Sequence, residues 1–264
     1  MTRLPISVCM ISGAEAHRIG RALESVAGWT NEIIVVLNED VRDGTEEITK
    51  KYGAKLFREP WKGFIGQKNS AAAKASMPWL LNLDADEIVS PALAAEVGGV
   101  VSAAYSSHAA YEFPRCTFYC GRWIRHGDWY PDHVRRLWRK DSAHWVGEEP
   151  HATLEVRGRI GRLHSDLLHS NQSIAGQIAK IAPYHAEFVK QRIAGGKTAG
   201  FVALAVRPWW RFIRAYFFRL GFLDGWQGFY IAALASFSTL TRQAMVREAQ
   251  TSPTSGEGRN TARF

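Results

Sequence analysis

Short apolar runs alternate with segments of helical character through the first part of the chain. Four apolar runs are predicted strands: 6–11, 32–37, 54–57 and 79–83. The segments between them are predicted helices: 19–26, 46–52 and 63–75. Since parallel strands are joined by crossover helices, this order predicts an α/β fold with a mostly parallel, Rossmann-like sheet.

Polar loops follow three of the predicted strands. They hold six candidate site residues: Ser12 and Glu15, Asn38 and Asp40, and Asp84 and Asp86. In open parallel sheets ligands bind outside the carboxyl ends of the strands, so the convergence of these loops predicts a nucleotide site. The sequence has neither a glycine-rich dinucleotide fingerprint nor a P-loop motif, which disfavours those two kinds of site.

The apolar run that begins at Trp79 leads directly into Asp84 and Asp86. Two residues apart at the end of a strand, these carboxylates are expected to leave on the same side. Paired hard oxygen ligands suit Mg²⁺ or Mn²⁺ and leave positions for phosphate oxygens. The alternative is a helix start, in which one aspartate caps the helix and Glu87 favours its dipole. An isolated Asp-x-Asp motif does not decide between the two.

From residue 109 the pattern changes to shorter strands, predicted at 109–113, 117–119 and 134–138. The loop before the last of these holds candidates for acceptor or phosphate contacts: Trp123, Arg125, His126 and Trp129. Flat aromatic rings and charged hydrogen-bonding groups are suited to binding sugars and phosphates. A structural loop with its tryptophans packed inward is equally consistent with the sequence.

Three later residues have side chains suited to catalysis or metal binding. Glu148 and Glu149 lie on a predicted loop, where one could act as a general base or both could form an exposed acidic turn. His169 ends an apolar run, so it could bind a metal or pack in the core.

The C-terminal part of the chain is predicted to be a helical extension. Within it, four arginines interleave with tryptophans and phenylalanines over residues 201–223. Such basic, aromatic stretches are typical of membrane interfaces, although a buried helical hairpin is the alternative. We therefore expect a first domain at 1–172, a helical domain at 173–250 and a disordered tail at 251–264.

Composition narrows the partners and the compartment. The 264 residues carry 33 Lys and Arg against 25 Asp and Glu, a net charge of +8, which favours an anionic partner. No nucleic-acid recognition motif is present, so we expect no nucleic acid. Three cysteines argue against a disulfide scaffold, and the first residues do not form a signal peptide. We expect a cytoplasmic protein, with peripheral attachment to the cytoplasmic face of the inner membrane as the open alternative.

Several motifs taken together resemble one known family. They are Asp43-Gly44-Thr45, Gln67-Lys68-Asn69, Leu83-Asp84-Ala85-Asp86-Glu87, Trp129-Tyr130-Pro131-Asp132 and Arg219-Leu220-Gly221. In these motifs the chain resembles the GT-A, family-two glycosyltransferases. Within that family it is similar to the lipopolysaccharide core-biosynthesis glucosyltransferase-like branch.

This resemblance implies the GT-A fold and an inverting transfer of a hexose. The donor would be a nucleotide-diphosphate sugar such as UDP-glucose, and the acceptor an anionic glycan or glycolipid. Asp84 would contact the donor ribose or the metal shell, Asp86 would bind Mg²⁺ or Mn²⁺, and Lys68 would lie near the nucleotide. Glu149 and His169 best fit the catalytic base and the late metal ligand of the family.

Departures from the family pattern keep alternatives open. Relatives often have an acidic residue at the position of Ala152. The catalytic base is therefore left open among three carboxylates: Glu148, Glu149 and Asp132. The first loop reads Ser-Gly-Ala-Glu where relatives usually have Asn-Glu-Glu. A competing hypothesis is a non-catalytic GT-A-like module that binds anionic glycolipid.

Overall fold

The computed structural model describes residues 3–103, 107–149, 151–196, 198 and 200–251. It divides the chain into two compact units. The first unit comprises Met1–Arg125 and Trp129–Asn171, and the second comprises His126–Asp128 and Gln172–Phe264. Apart from Thr251, the expected disordered tail lies outside the described residues.

In the described ranges, the first unit consists of strands, four α-helices and a short 3-10 helix at Lys140–Ser142. The strands are β1 Leu4–Ser12, β2 Thr30–Asn38, β3 Lys55–Glu59, β4 Trp79–Asn82, β5 Glu87–Val89, β6 His108–Tyr119, β7 Arg122–Ile124, β8 Asp132–Arg139, β9 Ala143–Glu148, β10 His151–Val156, β11 Arg159–Arg162 and β12 Leu167–Gln172. The helices are α1 Ile19–Ala27, α2 Thr45–Lys51, α3 Gly63–Ala73 and α4 Pro91–Ser102.

Within the described residues, ten of these strands form one mixed sheet. Its order is β3-β2-β1-β4-β8-β6-β12-β5, and β7 and β11 also pair with β6. The strands β3, β2, β1 and β4 are parallel, whereas β8 runs antiparallel to both β4 and β6. The predicted α/β fold is confirmed, and the parallel half of the sheet is the Rossmann-like part.

The parallel strands are apolar because both faces of the sheet are covered. On one face, Val8 and Met10 of β1 pack with Leu23 of α1 and Leu93 of α4. On the other face, Cys9 lies in the cluster formed with α3 and the β9–β10 hairpin. This two-sided burial explains the nearly continuous apolar runs from which the strands were predicted.

Two short predicted strands, 109–113 and 117–119, are joined in the structure as β6. The interruption in the sequence is Pro114-Arg115-Cys116, which is not an apolar run. Register continues through it, with Pro114 opposite His133 and Arg115 opposite Asp132. Arg115 forms an ion pair with Asp132 at 2.6 Å, so its charge does not interrupt the strand.

The second unit is mainly helical, as the pattern predicted. Its elements are α5 Ile174–Ala194, α6 Phe201–Ala205, α7 Arg207–Ile213, a π-helix Arg214–Phe218, a 3-10 helix Gly221–Asp224 and α8 Gly225–Thr251. The long helix α8 packs against α5, α6 and α7. Over the stretches that the structure describes, no helix combines the length and hydropathy needed to cross a membrane.

Candidate active site

The polar ends of three parallel strands lie at one edge of the sheet. Register pairs Ser12 at the end of β1 with Leu37, next to Asn38 at the end of β2. It also pairs Cys9 of β1 with Asn82, the last residue of β4. A Cβ added at Gly13 would lie 4.0 Å from the amide nitrogen of Asn38. The predicted convergence of these strand ends is therefore present.

Asp84 lies in the turn between β4 and β5 and is held by two cations. Lys68 of α3 donates to Asp84 Oδ1 at 2.8 Å, and Arg136 of β8 donates to Oδ2 at 2.5 Å. The same two cations donate to the side-chain oxygen of Asn82, at 3.0 and 2.9 Å. Elements far apart in sequence thus meet at the tip of β4.

Hydrogen bonds and ion pairs continue from Asp84 through Glu87 to Asp132, one of the three candidate bases. Arg136 also donates to the buried Glu87 at 2.7 Å, and Glu87 accepts the Asp84 backbone N–H at 3.0 Å. Arg115 lies 3.4 Å from Glu87 and 2.6 Å from Asp132. Together with Asp84 and Lys68, these residues form what we call the ion network: three carboxylates and three cations. Such balance is required when charged groups are buried.

Charge pairing sets the ionisation of the ion network. Burial raises the pKa of Asp84, but Arg136 and Lys68 outweigh burial and hold that pKa well below its usual value. For Lys68, burial is the larger effect and lowers the pKa of the ammonium despite the attraction of Asp84. Asp84 therefore remains an anion that accepts hydrogen bonds from both cations.

Asp86 faces a different set of partners from Asp84. His169 of β12 lies opposite Glu87, and its Nε2 is 3.4 Å from Asp86 Oδ2. Arg18 approaches the same oxygen at 3.4 Å and is itself paired with Glu15. Burial raises the pKa of Asp86, but the contact with His169 and the charge of Arg18 bring that pKa below its usual value.

Asp86 and His169 have side chains that could bind a divalent metal together. Thr117 Oγ1 lies 3.2 Å from His169 Nδ1, so the imidazole turns its other nitrogen toward the carboxylate. In the described part of the chain, no group of three or more His, Cys, Asp and Glu side chains could hold a metal. A carboxylate and an imidazole suit Mn²⁺ or Mg²⁺ when phosphate oxygens complete the coordination.

A pocket of about 450 Å³ opens beside the end of β2. Asn38, Glu39, Asp40 and Trp61 line it. The Trp61 ring is half exposed and meets the ring of Phe64 edge-on at 4.9 Å. Trp61 was not among the predicted site residues, although a tryptophan just after β3, at the same sheet edge, was a usable signal.

The three candidate bases have different surroundings. Glu149 accepts the backbone N–H groups of Phe64 and Ile65 at the start of α3, both at 2.9 Å. Glu148 is exposed at the end of β9. Asp132 is 44% exposed and joins the ion network through Arg115. Their catalytic roles stay predictions.

The predicted acceptor residues are divided between the two units. Trp123 packs against Phe118 and Trp129 against Tyr119, with ring centroids 5.1 and 5.0 Å apart. Arg125 donates to Asp166 at 3.0 Å. His126 belongs to the second unit, where its backbone N–H donates to Asp224 at 2.8 Å and its ring Nδ1 lies 3.1 Å from the same carboxylate. The ring contacts match the inward-packing alternative for the two tryptophans, and acceptor binding by the four residues stays a prediction.

A second pocket, of about 410 Å³, lies against the ion network within the first unit. Its lining combines cationic side chains with one wall of the β9–β10 hairpin: Arg115, His133, Arg135, Arg136, Trp145 and Thr153. None of these was predicted as a site residue. Arg115 and Arg136 were missed because each lies within a strand, where a single arginine is not distinctive.

Known proteins share the sequence pattern of this chain. A family model described as glycosyl transferase family 2 matches residues 7–148. An uncharacterized glycosyltransferase of Rickettsia prowazekii is 31% identical over 260 residues, which cover 92% of this chain and 87% of that protein. The lipopolysaccharide core biosynthesis glycosyltransferase LpsC of Rhizobium meliloti is 27% identical over 263 residues, which cover 92% and 94%.

Solved structures share the fold at low sequence identity. A mannosyltransferase from Pyrobaculum calidifontis, in complex with GDP-Man and Mn²⁺, has a TM-score of 0.54 at 13% identity, covering 96% of this chain and 89% of that chain. S. aureus TarS in complex with UDP-GlcNAc has a TM-score of 0.50 at 14% identity, covering 93% and 91%. With the family match, these likenesses confirm the predicted GT-A fold.

Proposed function

The chain belongs to glycosyl transferase family 2, and on that premise we propose that it moves a hexose, with inversion, from a nucleotide-diphosphate sugar to a glycan or lipid-linked acceptor. The similarity to LpsC supports a step in cell-envelope biosynthesis of the lipopolysaccharide core type. One observation carries the proposal: the ion network around Asp84 adjoins the Asp86–His169 pair at the carboxyl ends of the parallel strands.

The donor nucleotide fits the pocket at the end of β2. Trp61 offers a flat ring for stacking a base, and Asn38 and Asp40 offer hydrogen-bonding groups. Ser12 ends the neighbouring strand β1 and Glu15 follows it, on the same edge. The complexes of TarS with UDP-GlcNAc and of the mannosyltransferase with GDP-Man support this class of donor. We propose a UDP-glucose-like donor.

Asp86 and His169 would hold Mg²⁺ or Mn²⁺ next to the donor diphosphate. When bound, the ion neutralises negative charge on the leaving diphosphate. The Mn²⁺ in the mannosyltransferase complex supports this choice of metal. Arg18, 3.4 Å from Asp86, adds positive charge at the same place. Asp84 is held rigidly by Lys68 and Arg136, which suits a hydrogen bond to the donor ribose.

The acceptor fits the pocket against the ion network, whose arginines suit an anionic glycan. Asp132 is bound to one of these arginines and is partly open to solvent, which supports it as the catalytic base. The acceptor hydroxyl oxygen attacks the anomeric carbon while the carboxylate takes its proton. The bond from that carbon to the diphosphate breaks, and the nucleoside diphosphate leaves. Glu148 and Glu149 are the alternatives, and Glu149 is already engaged by α3.

Substitution of Asp86 tests the proposal. We expect wild-type protein to bind UDP or GDP more tightly with Mn²⁺ than without it in calorimetry, and to transfer sugar in a donor screen read by product mass. Asp86→Asn should lose the metal-dependent part of binding and about 100-fold or more of transfer, because it removes a charged ligand. Asp141→Asn, in an exposed 3-10 turn, is the matched control.

Two outcomes would contradict parts of this assignment. Unchanged metal-dependent binding and transfer in Asp86→Asn would reject the metal site. No nucleotide binding and no transfer by wild-type protein would reject the enzyme and support the non-catalytic module that binds anionic glycolipid.

A further inference from the structure

The second unit exposes an unusual number of aromatic rings over residues 209–229. Six are more than half exposed: Trp209, Trp210, Phe217, Phe218, Trp226 and Phe229. We call these six residues the aromatic face. A soluble protein rarely leaves so much large apolar surface in one stretch unless something binds there.

Ring contacts connect several members of the aromatic face. Trp210 of α7 lies 5.7 Å from Phe218 of the π-helix, measured between ring centroids. Phe212 bridges Phe217 and Phe229 at 6.5 and 5.7 Å. The rings therefore come together from α7, the π-helix and α8, and do not stand as isolated exposed residues.

Positive charge accompanies the aromatic face. Asp128, with a side chain only 4% exposed, lies 2.6 Å from Arg211, 2.8 Å from Arg214 and 3.3 Å from Arg219. One carboxylate compensates one of three guanidinium groups, so two positive charges remain. The three arginine side chains are 32–49% exposed, which keeps this surplus at the surface.

We propose that the aromatic face docks on an anionic lipid bilayer. Tryptophan and phenylalanine enter the boundary between headgroups and acyl chains, while neighbouring arginines meet the lipid phosphates. A second copy of the chain is a poorer occupant, because a two-fold contact would bring the same arginine cluster against itself. The proposal does not depend on sugar transfer, and its test does not measure it.

Vesicle flotation of the full chain tests the docking. We expect the protein to float with vesicles of phosphatidylcholine mixed with phosphatidylglycerol, and more weakly with phosphatidylcholine alone. Added salt should reduce the binding, because it screens the arginines. Equal binding to both kinds of vesicle would overturn the assignment to an anionic surface, and no flotation with either would overturn the docking.

The double variant Trp209→Ala/Phe218→Ala removes the two most exposed rings of the face. Vesicle affinity should fall about tenfold or more, since each ring loses its burial in the bilayer. Trp61→Ala, which removes a half-exposed tryptophan of the first unit, should leave vesicle binding unchanged. Equal vesicle affinity of wild type and double variant would overturn the proposal.

Two further measurements keep the test decisive if the double variant folds poorly. Tryptophan fluorescence of wild-type protein should be quenched by anionic vesicles with brominated acyl chains, and absence of quenching would overturn the proposal. Sedimentation should show no self-association through this face. A dimer that the double variant dissociates, without vesicle binding by the wild type, would also overturn it, in favour of a second copy.

Discussion

Two aspartates separated by one residue contact different partners in this structure. Asp84 is bound by Lys68 and Arg136, whereas Asp86 faces His169. The difference comes from the turn between β4 and β5, in which the backbone no longer alternates as in a strand. The Asp-x-Asp pattern therefore marks the edge of the sheet, and the surrounding cations and imidazole differentiate its two carboxylates.

Arg136→Met should destabilise the protein by about 3–5 kcal/mol, because it leaves the buried Glu87 and the partly buried Asp84 without their shared cation. Urea unfolding monitored by circular dichroism measures this change in the free energy of unfolding. Arg135→Met, on the same strand with a side chain 42% exposed, should cost less than about 1 kcal/mol. Equal, small effects of the two substitutions would contradict the structural role of the ion network.

At the scale of elements, close packing of the 3-10 helix against α8 depends on a single glycine. A Cβ at Gly228 would lie 1.9 Å from the carbonyl oxygen of Gly221, which no rotamer change can relieve. Leu220, just before this 3-10 helix, has a φ of 57°, which is uncommon for a leucine. The connection between the π-helix and α8 is therefore tightly constrained.

Gly228→Ala should destabilise the second unit by roughly 2 kcal/mol or more, because the backbone must move to admit the methyl group. Hydrogen exchange of α8 amides, together with thermal unfolding, measures the effect. Gly99→Ala in α4 is the control, since no atom lies within 4 Å of its added Cβ. That change should be neutral or stabilise by about 0.5–1 kcal/mol. Similar stabilities of the two variants would contradict the close contact.

At the scale of the whole molecule, a buried carboxylate joins three parallel strands. Glu32 of β2 accepts hydrogen bonds from Ser7 of β1, from Lys55 of β3 at 2.7 Å and from the backbone N–H of Ser76 at 2.8 Å. Burial raises the pKa of Glu32, but these bonds outweigh burial and lower that pKa to about 2. The ionised carboxylate therefore stabilises the folded sheet.

The stability of the protein should fall in acid, and Glu32 should account for part of the fall. Its folded pKa lies below the unfolded value of about 4.3, so the stabilisation is complete above that pH and is lost as pH falls toward 2. Glu32→Gln should lower the free energy of unfolding by on the order of 2 to 3 kcal/mol at neutral pH. Below neutral pH, the free energy of unfolding of the variant should depend less on pH than that of wild type. Urea unfolding at several pH values measures this.

Glu24→Gln, on the exposed face of α1, is the control for that series. It should leave both the stability at neutral pH and its acid dependence close to those of wild type. A Glu32→Gln profile parallel to that of wild type through the acid range would contradict the role assigned to Glu32.

The order of strands and helices from β1 to β4, the parallel half of the sheet and the edge that carries the candidate site were all predictable from the sequence. Each depends on local spacing. In the sequence, buried strands appear as apolar runs, crossover connections as helical patterns, and the ends of parallel strands as polar loops. Asn38 and Asp84 are therefore at the predicted edge. Several motifs taken together, among them those around Gln67-Lys68-Asn69 and Asp84, also indicated the family that the comparisons confirm.

Only the tertiary structure decided which charges meet. Arg136 comes from β8, which runs antiparallel to β4, and Arg115 comes from β6, which runs antiparallel to β8. The partners of both arginines lie far away in sequence. The engagement of Glu149 at the start of α3 likewise required the β9–β10 hairpin to fold against that helix. Ion pairing depends on distances of a few ångströms and on burial. Both are set only when the strands pair in the folded sheet, so the sequence alone does not give them.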